Sequence, residues 1–148
     1  MPTEGIEVEG DHTDRAQSAG IDVVVHDGPI LECISRGYVT LAMQREAYQK
    51  IDRELALRKN SQFALLWDSR EVAGFDAGLP MALTRFLVSR VRRFRRAALV
   101  ARHPMVVAVG RAAQRLVPPF PYAVCADRNE AVRFLREQGE PSAGDHAA

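Results

Sequence analysis

Lysine is nearly missing from this 148-residue chain, which has only Lys50 and Lys59. Cysteine also occurs twice, as Cys33 and Cys125, each inside an apolar run. Two such residues make no disulfide framework, and both read as reduced core thiols. No apolar run approaches the ~18 residues of a membrane span, and no charged-then-apolar leader opens the chain. The expectation is a cytoplasmic protein. His12, His26, His103 and His146 are scattered, so neither His nor Cys recurs at metal-ligand spacing. Gly74 and Gly78 lack the lysine that follows in a phosphate-cradling loop. Ser69 has no flanking glycines to form a nucleophile elbow. The sequence therefore predicts no metal, no cofactor and no catalytic residue.

Acidic residues are missing locally. None occurs between Asp76 and Asp127, an interval that holds Arg85, Arg90, Arg92, Arg93, Arg95, Arg96, Arg102, Arg111 and Arg115. The formal net charge of +1 hides this, because residues 1–20 carry about −4 and residues 137–148 add three acids without a base. The body between them is near +8. Residues 1–20 also have few large apolar side chains, too few to offset their ordering entropy, and are expected to be a disordered acidic tail. Residues 137–148 are expected to be a second one, leaving a single domain over 21–136.

Within that domain, Ile21–His26 is a β-branched run stopped by Asp27-Gly28-Pro29, a strong turn signal. Ile30–Ser35 follows as a second strand, and the pair predicts an antiparallel hairpin. Arg36-Gly37 bends its far end, with Tyr38–Thr40 continuing. Thr40 is placed to cap a helix whose Met43, Ala47, Ile51 and Leu55 form one stripe. Glu46 and Lys50 sit at favourable i,i+4 spacing on its wet side. Phe63–Trp67 is continuously apolar, as expected of an interior parallel strand. A polar stretch, Asp68–Gly78, reads as a loop, and Pro80 suits the first turn of the next helix. That helix is expected to bury Leu83, Leu87, Val91 and Phe94. Ala97–Ala101 is a fourth strand, and Met105, Val109, Ala112 and Leu116 mark a third helix. Tyr122–Ala126 is the last strand. Asp127 caps a final helix that buries Ala131, Phe134 and Leu135. The order β-β-α-β-α-β-α-β-α predicts an α/β domain with a mainly parallel sheet and an N-terminal antiparallel hairpin.

Several of these segments resemble a known family. Ile34-Ser35-Arg36-Gly37-Tyr38 leads from the hairpin into the first helix. Leu65-Leu66-Trp67-Asp68, Val72 and Phe75–Leu79 are similar to a strand and switch loop. Arg96–Val100 and Glu130–Leu135 are similar to a later strand and a closing helix. Over Ile21 to Arg136 the chain resembles a STAS domain, and more closely the bacterial SpoIIAA-like group, which shares features with lipid-binding Sec14-type domains. The resemblance implies an anti-sigma-factor-antagonist-like module that works in signalling by protein–protein interaction. It also implies a partner surface on Asp68, Ser69, Arg70, Asp76, Ala77, Gly78 and Leu79. Phospho-switched members carry a serine directly after the loop aspartate. Here that position is Ala77, which cannot accept a phosphate.

Ligands of open α/β sheets gather outside the carboxyl ends of the strands. That rule predicts one rim formed by Asp68, Arg70, Asp76, His103 and Asp127, either a recognition surface or the mouth of a ligand site. The plainer alternative is that Asp76 and Asp127 cap helices while Asp68 ties down its loop. Arg90, Arg92, Arg93, Arg95 and Arg96 crowd the end of the second helix. They suit either its negative terminus or an acidic protein or other anion. Nucleic acid is the weakest candidate, because no aromatics are interleaved for stacking. The reading is a non-catalytic adaptor for a protein partner. The alternative is a carrier for a small apolar or lipid-like ligand in a Sec14-like pocket, and self-association into a homodimer is a further reading.

Overall fold

The hairpin forms where the sequence puts it. In the computed structural model, which describes residues 19–116 and 120–137, β1 (Gly20–His26) pairs antiparallel with β2 (Ile30–Val39). Gly28 makes the turn with φ of 105°, a conformation that only glycine adopts cheaply. Thr40 then caps α1 (Leu41–Leu57), its Oγ1 accepting from the Met43 amide at 3.2 Å. Ala47, Ile51 and Leu55 are buried as the periodicity requires, and Glu46 and Lys50 approach to 3.7 Å. The chain continues through β3 (Phe63–Phe75), α2 (Leu79–Ser89), a 3-10 turn (Val91–Arg93), β4 (Phe94–Val100), α3 (Pro104–Leu116), β5 (Tyr122–Cys125) and α4 (Arg128–Arg136).

The five strands lie in chain order, β1-β2-β3-β4-β5, and all pairs after the hairpin are parallel. Crossovers of one hand between successive parallel neighbours put their helices on one face. Accordingly α1, α2 and α3 pack with Leu31, Cys33, Leu65, Trp67, Ala97 and Leu99. The opposite face, with Ile30, Ala64, Leu66, Ala98, Val100 and Cys125, is covered by Ala131 and Leu135 of α4. Both cysteines are buried and free, and burial pushes the Cys125 thiol up to about 11.

Three expectations change. The segment read as a loop from Asp68 is strand as far as Phe75. Its pairing with β4 ends at Asp68, whereas β2 continues alongside as far as Phe75. Beyond Asp68, β3 has β2 alone as a neighbour, an edge position that tolerates polar residues resembling a loop. An extra β3 residue between the Ile34–Asp68 and Arg36–Glu71 pairs makes a bulge there. Second, Val91 and Phe94 are not on the second helix: α2 stops at Ser89, half-buried Val91 opens the 3-10 turn, and Phe94 is buried as the first residue of β4. Third, α3 buries Val106, Gly110 and Ala113, not the stripe one residue back; Met105 and Leu116 are exposed. The expected tails lie outside the described residues at 1–18 and 138–148, and Gly20 already belongs to β1.

Candidate functional site

The starts of α3 and α4 lie at the carboxyl edge of the parallel strands, whereas β3 runs on to Phe75, past its last pair with β4 at Asp68, before it turns. The side chains there are nonetheless largely committed to the fold. Asp127 caps α4, accepting from the Asn129 amide at 2.9 Å. His103 Nδ1 accepts from the Met105 amide at 3.1 Å in the first turn of α3. Asp76 caps a helix too, but not the one that follows it. Its carboxylate accepts from the Leu41 amide of α1 at 2.8 Å and from the Tyr38 hydroxyl at 3.0 Å. That hydrogen bond to the Asp76 carboxylate holds the Tyr38 phenol above its ordinary value.

Asp68 and Ser69 are both 5% exposed. Strand alternation and the bulge send them to opposite faces. Asp68 lies on the α4 side in a fork with Arg70, at 2.9 and 2.7 Å. Burial pushes the Asp68 carboxyl up, but hydrogen bonds from the Arg70 side chain and amide outweigh it, and the net shift is downward. On the same face Glu32 of β2, only 3% exposed, receives two 2.8 Å hydrogen bonds from Arg128 and one 2.7 Å contact from His26. The Arg128 guanidinium, aided by His26 and opposed by burial, holds Glu32 below the usual carboxylate range. This pair escaped sequence reading because its members are 96 residues apart. The available signal was one acid inside the apolar run Ile30–Ile34.

Exposed groups at this edge include His103, Met105 and Asp127 as well as Ala77 and Gly78, which lead to the outer face of α2. There Met81 is 53% exposed, beside Leu116 of α3 at 62%. Pro80, Met81, Thr84, Val109, Ala112 and Leu116 line a shallow apolar groove of about 120 Å³ between the two helices. Arg85 on α2 and Arg111 and Arg115 on α3 are exposed on the same helices. Leu79 is partly buried and faces inward, against the core.

The arginine cluster sits at the other end of the sheet, where β4 begins, and most of it closes the fold. Arg93 donates to the carbonyls of Leu55, Arg58 and Ser61 where α1 ends. Arg95 and Arg96 donate to the Leu135 and Phe134 carbonyls at the end of α4. Arg90 forks onto Asp52 of α1 at 2.5 and 2.7 Å and stacks over Phe86, 4.3 Å from its ring centroid. Such groups satisfy carbonyls that helix ends leave unpaired. Arg92 is the exposed member. The expected anion patch and the expected rim are therefore two separate ends of the molecule. Among the described residues no group of three or more acidic, His or Cys side chains could hold a metal ion, and no helix is long and apolar enough to cross a membrane.

No protein-family model matches the chain, and no curated protein matches it in sequence. Solved structures do. A DUF3478-family protein from Shewanella loihica PV-4, described as having a SpoIIAA-like fold, superposes with a TM-score of 0.65 at 18% identity. The match covers 80% of this chain and 96% of that one. The fold is SpoIIAA-like. The anti-sigma factor antagonist SpoIIAA in its unphosphorylated form also matches, with a TM-score of 0.57 at 13% identity over 79% of this chain and 98% of its own. In this chain Ala77 and Gly78 lie in the turn between β3 and α2.

Proposed function

We propose that this chain is a non-catalytic regulatory or adaptor module whose protein partner docks on Ala77, Gly78 and the outer face of α2. The observation that carries the reading is the apolar groove between α2 and α3, open at Met81 and Leu116 and lying on arginine-bearing helices. An uninterrupted basic interval from Asp76 to Asp127 suits a partner segment with apolar anchors and acidic flanks. The likeness to an anti-sigma factor antagonist supports a regulatory role. Ala77 at the head of α2 means that any control of docking uses something other than a phosphate on that residue. Asp68 and Ser69 are buried and Arg70 is forked onto Asp68, so direct contact with the partner falls to Ala77, Gly78 and α2. Against catalysis, Asp68 and Asp76 each have separate structural partners.

The carrier reading is less favoured. The interior cavity at this edge is about 50 Å³, well below the roughly 300–1,000 Å³ of drug-sized ligand sites.

The test is affinity capture from a cytosolic extract of the source organism, comparing the natural chain with Met81→Glu and Arg92→Glu. A specific partner lost with Met81→Glu and kept with Arg92→Glu, at unchanged melting temperature, supports the reading. Capture indifferent to Met81→Glu removes the groove as the interface. A chain that captures nothing but copies of itself would make it a homodimer face instead.

A further inference from the structure

A second and larger depression lies at the amino edge of the sheet, at the other end of the molecule from the docking groove. It holds about 730 Å³ and reaches from Gly28 in the hairpin turn, past the start of β4, to the end of α4. Its apolar lining is Val91, Phe94, Phe120 and Pro121, and Phe94 is 2% exposed. Three arginines share the lining, Arg92, Arg95 and Arg136, with Glu137 as the one acid.

The fold uses only part of this charge. Arg95 donates from Nη1 to the Leu135 carbonyl at 2.6 Å, which fixes its guanidinium at the end of α4. Glu137 approaches the buried Arg96 at 3.8 Å, so its charge is shared with that side chain. Arg92 and Arg136 are exposed, and neither side chain makes a hydrogen bond or ion pair among the described residues. Helix-end carbonyls would repel an anion, but those of Phe134 and Leu135 are covered by Arg96 and Arg95. Positive charge in excess of its partners, over a concave surface, concentrates anions. Guanidinium groups match phosphate oxygens in pairs, where an ammonium would offer a point charge. The volume falls within the roughly 300–1,000 Å³ of small-molecule sites, and a bare inorganic ion would leave the apolar lining uncovered.

We propose that this depression binds a phosphate monoester carrying an apolar body, an aryl or short alkyl phosphate. Arg92, Arg95 and Arg136 hold the phosphate, and Val91, Phe94, Phe120 and Pro121 meet the body. A phosphate monoester carries about two negative charges at neutral pH, which suits three guanidinium groups better than a single carboxylate does. The site is separate from the docking surface on α2, so neither proposal depends on the other.

The experiment titrates the full chain at neutral pH with phenyl phosphate, inorganic phosphate and phenol, and follows the backbone amide NMR signals. Saturable shifts with phenyl phosphate at Gln62, Val91, Arg92, Arg95 and Arg136, all on the lining, are expected. Inorganic phosphate should bind about tenfold more weakly, because it buries no apolar surface. Phenol should bind at least about tenfold more weakly, because it lacks the charge. Arg92→Gln and Arg136→Gln should each weaken phenyl phosphate about threefold to fivefold, as loss of an exposed ion pair does, and together by about tenfold or more. Arg111→Gln, the same charge change on α3, should leave the affinity unaltered. Inorganic phosphate bound as tightly as phenyl phosphate, shifts without saturation, or equal weakening by Arg111→Gln would overturn the proposal. Full affinity in the Arg92→Gln, Arg136→Gln double variant would overturn it as well.

Discussion

Asp76, at the end of β3, accepts a 2.8 Å hydrogen bond from the amide of Leu41, the first residue of α1. A residue placed to open α2 thus completes the cap of α1, next to Thr40. Helix starts leave amides unpaired, and losing one side-chain acceptor costs about 0.5–2 kcal/mol. Asp76→Ala should lower unfolding stability in urea by about 1 kcal/mol, while Tyr38→Phe, at a half-exposed position, should cost less. An Asp76→Ala protein as stable as the parent would show that Thr40 caps α1 alone.

Arg128 is the main partner of the buried Glu32 carboxylate. Removing one member of such a pair strands the other charge, at a cost of roughly 3–5 kcal/mol. Because Arg128 is itself about one-third exposed, Arg128→Leu should fall near the lower end, about 3 kcal/mol. The Glu32→Leu, Arg128→Leu double variant should recover at least half of the loss. A double-mutant cycle from urea midpoints measures it, and simple additivity would contradict the pairing.

Acid should weaken the fold through the same face. Glu32 and Asp68 both have folded pKa values depressed below their ordinary ones. A depressed carboxyl contributes stability that is present above its unfolded pKa and lost as pH falls through the folded one. The loss should therefore begin near pH 4, around the ordinary carboxyl values, and continue below it. In Glu32→Gln the gap in stability from the parent should narrow steadily below about pH 4. Denaturation curves collected from pH 7 downward test this, and a gap independent of pH would count against Glu32 as a contributor.

Gly110 allows α3 to approach β4, since a methyl group there would overlap the Leu99 side chain. Overpacking typically costs about 1–3 kcal/mol, and alanine returns about 1 kcal/mol of helix propensity. Leu99 also lines the interior cavity, so it has room to retreat into it. Gly110→Ala should change stability by no more than about 1 kcal/mol, read from urea midpoints. A loss well above 2 kcal/mol would mean that Leu99 cannot move.

Much of the fold was legible because its signals are local. The turn at Gly28, the hydroxyl of Thr40 and the carboxylate of Asp127 act within a few residues of themselves. The apolar stripe of α1 needs only its own period. The errors share a different cause. Asp68–Phe75 reads as a loop until β2 is seen running beside it, and the inward stripe of α3 depends on how close Gly110 lets that helix approach. The candidate site was legible in outline only. Asp68 and Ser69 are buried, Asp76 turns to the start of α1, and the exposed groove is built by Met81, which no sequence signal singled out, and Leu116, expected on the apolar stripe of α3.

Taken alone, the sequence determined the order of elements, the hairpin and the parallel sheet, because periodicity and caps act over one or two turns of chain. Tertiary structure decided which charges meet. Glu32 finds Arg128, Arg93 finds the last carbonyls of α1, and Asp76 finds Leu41 through contacts spanning 35 to 96 residues. Such pairings depend on strand register and crossover geometry, which no local pattern of residues encodes.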